Sequence, residues 1–203
     1  KGAKAARAAY LDPEGALTLP ARYAALRHLL AGQGRPVEVM AMFSPALGAF
    51  GNWLQQLFVE SEGKNGGGIL PLPAAYTADL HALGQFVQQG NPIVFETMLT
   101  LSRARHDCRV APGGGFDGLN ALVGQPLEDL NRLAVEAVAR AHSEAGVPVL
   151  HLSAPGRDAE VYGQLVMFFQ IACAVGALMG GLNPFDQPGV EDYKAHMRRL
   201  FGG

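Results

Sequence analysis

"PVEVMAMF" fills residues 36–43 and runs straight into "SPALGAFGNWLQQLFVESEGK", residues 44–64. The first stretch alternates towards a β-strand. Ser44 then offers a helix cap, and Pro45 sits where a preset φ suits a first helical turn. The apolar run beyond them predicts a helix to about Glu60. A strand feeding directly into a helix is half of a βαβ unit, and the same pattern recurs downstream. A helix is expected over 78–89, closed by Gly90, then a strand over 93–101 ("IVFETMLTL"). A long helix over 126–145 precedes a nearly continuous apolar strand over 147–153 ("VPVLHLS"). Strands separated by long helices imply an α/β fold, a mostly parallel sheet covered by helices on both faces as a three-layer sandwich.

Outside that frame, helices are expected over 2–9 and 20–31, the second ended by Gly32 and Gly34. "EGKNGGG" is a loop by composition, as are residues 102–117 with Gly113–Gly115 and the proline-punctuated "NPFDQPG". A last helix opens at Pro188, with Asp186 or Gln187 able to cap it. The expected organisation is a helical arm over 1–35 and one α/β domain over 36–203.

The 203 residues are 49% hydrophobic and 17% charged, an ordinary globular composition. A formal charge of −2 gives no reason to expect nucleic acid as a partner. Lys1, Lys4, Arg7, Arg22, Arg27 and Arg35 make the start locally basic, but alanine dilutes them into a solvated helical face. Residues 161–180 carry no charge and are long enough to span a bilayer. Gln164 and Gln170 interrupt them and no basic cluster flanks them, so a buried helix of a larger core, with no membrane partner, is the better reading. Cys108 and Cys173 make a poor disulfide framework, and no secretory signal precedes the chain; reduced thiols and a cytoplasmic location are expected. The chain opens on Lys1 rather than Met, as a processed product or a piece of something longer would.

Three polar residues stand out. Trp53, Gln56, Leu57 and Glu60 fall at helical spacings of three and four. That places Glu60 on the apolar side, where partial burial would raise a carboxyl's basicity to suit a general base. Equally, helix ends often carry stray charges. Glu62 is expected to point elsewhere, into solvent. His81 continues through Gln85, Gln88 and Gln89 on the polar side of its helix, opposite Leu80, Leu83 and Val87. Such a face is either simply solvated or lines a site. Lys194 shares a stripe with Val190 and Met197, where a lysine ordinarily snorkels its ammonium outward. His28, His106, His142, His151 and His196 show no metal-ligand spacing, so no metal is expected.

These same places resemble the bacterial type of glucose-6-phosphate isomerase. The matching stretches are "WLQQLFVESEGK" (53–64), "TADLHALGQFVQQG" (77–90), "DGLNALVG" (117–124), "AHSEAGVP" (141–148) and "NPFDQPGVEDYK" (183–194). The resemblance runs over residues 20–203 and implies a sugar-isomerase (SIS) domain in a cytosolic homodimer of the sugar-phosphate pathway of glycolysis and gluconeogenesis, with no metal or organic cofactor. It implies that Glu60 moves a proton between C1 and C2 of the sugar phosphate through a cis-enediol, with Gln56 lining the sugar site. It further implies that His81, reaching into a neighbouring subunit's site, and Lys194 assist ring opening.

The family's enzymes are about twice as long, and their first half supplies a Ser/Thr-rich phosphate loop and an arginine near the enediolate. Neither is found here, so the resemblance covers the C-terminal portion, with the N-terminal domain as its missing partner and the isolated chain short of half a phosphate site. "FSPAL" (43–47) and "RVAPGGGF" (109–116) depart from the family's more charged versions. A non-catalytic sugar-phosphate-binding module on the same scaffold is the alternative.

Overall fold

The computed structural model describes residues 1–11, 18–102, 108–113 and 118–202. His106 and most of the three-glycine run lie outside them. Four parallel strands form one sheet: β1 (Val37–Met42), β2 (Leu70–Ala75), β3 (Val94–Leu101) and β4 (Val149–Ala154), in the order β2-β1-β3-β4. The helices are α1 (Gly2–Tyr10), α2 (Leu19–Gly32), α3 (Gly48–Glu62), α4 (Leu80–Gln89), α5 (Leu127–Glu144), α6 (Ala159–Met179) and α7 (Gly189–Leu200). Gly34, at φ +86°, turns the chain from α2 towards β1 in a conformation that a side chain disfavours.

The two faces of the sheet are both covered. Met40, Met42, Leu99 and Leu101 pack against Leu54 and Phe58 of α3 and against Phe168, Phe169, Ala172 and Cys173 of α6. On the other face Val39, Ala41, Val94 and Met98 meet Val87 of α4 and Val135 of α5. Because α3 and α6 cover one face and α4 and α5 the other, strands buried on both sides need no clean polar alternation. α1 and α2 pack across α6. There Gly2 lets the backbones touch: a Cβ on it would lie 1.8 Å from the carbonyl oxygen of Glu160. α6 is the helix long and apolar enough to cross a membrane, yet Phe169, Ala172 and Cys173 on it lie in the core.

Strand β2, "LPLPAA", is the element that the sequence patterns miss, since prolines argue against a strand. It lies at the sheet edge and pairs with β1 in the register Leu70 with Val37 and Leu72 with Val39. The Leu70 N–H donates to the Pro36 carbonyl, so the intervening Pro71 and Pro73 fall where an N–H would face away from the sheet. Gln55 of α3 donates its side-chain amide to the outward Pro71 carbonyl at 2.9 Å.

A smaller difference concerns the start of α3. Ser44 makes no capping bond, and residues Pro45–Leu47 form a tight 3₁₀ turn before the helix proper.

Candidate functional site at the end of α3

α3 leaves the carboxyl end of β1 and runs back along the sheet, so its last turn lies beside the amino end of the strands. Leu54 and Phe58, both fully buried, mark the centre of its inward face. Glu62 is one helical turn beyond Phe58 and shares that face, whereas Glu60, two positions on, is turned away. The expectation for both carboxylates is therefore reversed. Glu62 is 3% exposed, not solvated, and Glu60 is exposed, not half-buried. The Trp53–Leu57 stripe lies on the half-buried flank of α3 rather than at its centre.

What recruits Glu62 is Arg27, wholly buried on α2. Its Nη1 donates to both Glu62 oxygens, at 2.8 and 3.0 Å, and its Nε donates to Glu38 of β1 at 2.7 Å. Tyr23 and Thr97 hydroxyls donate to the other Glu38 oxygen. The Phe58 ring lies 3.8 Å from the guanidinium carbon. Burial outweighs the neighbouring guanidinium and holds the Glu62 carboxyl above its ordinary range. Burial also pushes the Tyr23 phenol far up. This is a closed, structural cluster with no opening for a substrate. A second one occupies the opposite face, where Glu96 accepts from Tyr76 and meets the His142 ring at 2.6 Å.

Glu60 is held differently. Gln56, one turn back, donates to its Oε1 at 3.0 Å, and Gln187 donates to its Oε2 at 2.7 Å. Both oxygens keep further lone pairs for a proton from outside. Gln187 belongs to the "NPFDQPG" turn, which Lys64 grips: its ammonium donates to the Asn183 carbonyl and, at 2.7 Å, to Asp186. That bond holds the Asp186 carboxyl below its usual range. Neither Asp186 nor Gln187 caps α7, whose N-cap residue is Pro188; Gln187 reaches Glu60 on α3 and Asp186 reaches Lys64 just past it instead. Gln187, Lys64 and Asp186 thus belong to the site although spacing could not connect residues more than a hundred positions apart.

Lys194 follows on α7, about a turn and a half beyond the start of that helix. It is exposed and pairs with Glu191 at 2.9 Å, which lowers the Glu191 pKa. His81 lies at the start of α4, just past the carboxyl end of β2. Glu60 lies beside the amino end of that strand, so the strand's length, roughly 20 Å for six residues, separates the two. Within this chain the structure brings Gln56 to Glu60 but joins neither His81 nor Lys194 to it by a hydrogen bond. Among the described residues, no three His, Cys, Asp or Glu side chains gather as a metal cluster would.

A four-stranded parallel sheet with helices on both its faces defines a doubly wound α/β domain, and an exposed, doubly held carboxylate lies at its rim. Comparison with known proteins makes the relationship specific. The chain is 46% identical over 201 residues to glucose-6-phosphate isomerase of Symbiobacterium thermophilum, covering 99% of this chain and 45% of the relative. It is 42% identical to the Lactobacillus helveticus enzyme of that name, over 100% of this chain and 45% of the relative. The resemblance to glucose-6-phosphate isomerases thus runs the whole length of the chain, while the chain spans about half the length of these curated relatives. A hypothetical protein from Thermus thermophilus superimposes with a TM-score of 0.90 at 30% identity, over 100% of this chain and 49% of that one. A glucose-6-phosphate isomerase from Chlamydia trachomatis shares the fold, with a TM-score of 0.81 at 22% identity over 99% of this chain and 41% of that one. No family model matches the chain.

Proposed function

We propose that this chain is the C-terminal, SIS-type portion of a glucose-6-phosphate isomerase and that Glu60 is its proton-transferring base. The observation that carries this reading is the Glu60 carboxylate itself, exposed yet aimed by two amides. In the reaction it takes the proton from C2 of open-chain glucose 6-phosphate. The C–H electrons form the C1=C2 bond of a cis-enediol as the carbonyl oxygen gains a proton. The same carboxyl then returns a proton to C1 while the C2 hydroxyl gives up its own to the group that had protonated the C1 oxygen, leaving the ketone of fructose 6-phosphate. A carboxylate doing this work needs water excluded around the substrate, as in triosephosphate isomerase. On this chain Glu60 is open, and the remaining half of the protein is the cover.

Gln56 binds the sugar and orients the base. Lys194 and His81 share the proton transfers of ring opening, one protonating the ring oxygen and the other accepting the hydroxyl proton. The strand-length gap between Glu60 and His81 supports a homodimer in which His81 serves the neighbouring copy. No metal or organic cofactor enters these steps.

In the full-length protein, Glu60→Gln is expected to lower turnover by about a thousandfold, the middle of the range for a general base, with substrate binding kept. Normal turnover in that variant would remove the assignment. One observation favours the rival, a non-catalytic sugar-phosphate module: Glu60, His81 and Lys194 form no connected set within one chain. Isomerase assays of the chain combined with the N-terminal half separate the two readings, since a binding module stays inactive.

A further inference from the structure

Lys64 lies two residues past α3, and its side chain is only 8% exposed although its partner Asp186 is 53% exposed. A surface lysine pair of ordinary kind leaves both ends in water and contributes little. Here the ammonium is withdrawn from water and spent on two acceptors of one turn, the Asn183 carbonyl and the Asp186 carboxylate. The Asn183 side chain closes that turn from within by accepting the Phe185 N–H at 3.1 Å. The next residue, Gln187, is the one that donates to Glu60, and Pro188 then opens α7. Nothing else in the turn ties it to α3 by a side-chain ion pair among the described residues.

We propose that Lys64 is a positioning residue: by clamping the 183–186 turn it sets where Gln187 meets Glu60 and where α7 presents Lys194. This rests on the isomerase reading for its catalytic consequence, though not for the clamp itself. Lys64 touches no substrate. It acts through Gln187 on the orientation of the carboxylate, and through the start of α7 on the ammonium that follows. A loosened turn leaves binding groups present and the base misaligned. The effect therefore falls on turnover more than on KM, since small misplacements of a reacting group cost large factors in rate.

The test uses Lys64→Met in the full-length protein, with hydrogen exchange measured alongside steady-state kinetics. Expected are a fall in kcat of tenfold or more, a KM changed by less than about threefold, and faster exchange confined to residues 182–190. Lys64→Arg recovers part of the loss. Asp186→Asn produces a similar loss, and the double variant is little worse than either single one because both break one clamp. Full kcat in Lys64→Met overturns the proposal, and so does a loss of kcat with unchanged exchange at 182–190. Should Lys64→Met unfold the protein, Asp186→Asn decides, its carboxylate being exposed: full kcat there overturns the clamp. If the unaltered protein has no isomerase activity, the functional reading fails, while local exchange in the two variants still decides whether Lys64 holds the turn.

Discussion

Glu60 and Glu62 stand two residues apart in the last turn of one helix, yet they live in different solvents. Glu62 is buried against Arg27, which also holds Glu38, and the Phe58 ring packs on the same guanidinium. Glu60 is exposed and is held by two neutral amides. The difference follows from helical geometry: Glu62 continues the Leu54–Phe58 face, and Glu60 does not. A buried carboxylate already paired to a guanidinium has nothing left to offer a substrate, and its removal is felt by the fold. A carboxylate oriented by amides and open on one side keeps its charge for a ligand, and its removal is felt by the chemistry. Burial at this helix end therefore marks the structural group, and held exposure marks the group we propose as the base.

The sharpest way to break this comparison is Arg27→Met. It leaves Glu38 and Glu62 buried without their cation, and removing one partner of a buried pair costs about 3 to 5 kcal/mol. Glu60→Gln, an exposed change, is expected to stay within about 0.5 kcal/mol. Urea unfolding of both variants measures the contrast. An Arg27→Met protein with an unchanged midpoint would mean that the cluster is not what holds α2, α3 and β1 together.

A smaller effect sharpens the same contrast from the side of α6. Gly176 faces the cluster, and a Cβ there would lie 2.5 Å from Glu62 Oε1. A flexible side-chain tip ordinarily moves aside for a methyl group. This tip is fixed by two bonds to Arg27, so Gly176→Ala must strain or break them. Alanine's better helix propensity returns about 1 kcal/mol, and overpacking costs about 1 to 3 kcal/mol. The net expectation is a loss of about 1 kcal/mol in thermal or urea unfolding, with no change around Glu60. A more stable Gly176→Ala protein would show that Glu62 is free to shift.

These contrasts also explain how much the sequence could reveal. Among the described residues, all the α-helices, the strands β1, β3 and β4 and the parallel, doubly covered sheet are legible from alternation, apolar runs, prolines and glycine stops, though the expected caps of α3 and α7 are not made. β2 is not, because Pro71 and Pro73 are poor strand residues except at an edge, and edge position is a tertiary fact. The stretches that carry the resemblance include Gln56, which the structure places beside Glu60. Local spacing leaves two stripes on α3, one ending in Glu60 and one running Leu54–Phe58–Glu62. Which of them faces the core is a tertiary fact, and the Arg27 that the second stripe meets is 35 residues from Glu62. Gln187 escapes for the same reason, 127 residues from Glu60. Periodicity sees which residues share a face; it does not see what the face meets.

Cys173 gives the mildest test, because it reports on the buried side of α3 without disturbing it, with Cys108 as an exposed reference. Cys173 is 1% exposed and its thiol reaches the Leu57 carbonyl, on the turn of α3 that precedes both glutamates. Burial pushes it up from 9.0 to about 11, which makes its thiolate about a hundredfold scarcer near neutrality. Cys108 is exposed. Iodoacetamide at pH 8 is therefore expected to modify Cys108 and spare Cys173, as mass spectrometry of the digested protein would read. In Arg27→Met, Cys173 becomes reactive as α3 loosens; in Glu60→Gln it stays protected. The folded thiol holds its proton more firmly than the unfolded one, so its contribution to stability is complete below pH 9 and lost as the pH rises towards about 11. The raised phenol of Tyr23 adds a loss of the same sign at high pH. Labelling of Cys173 as fast as Cys108 in the unaltered protein would place the inward side of α3 in water too, and the distinction between its two glutamates would go with it.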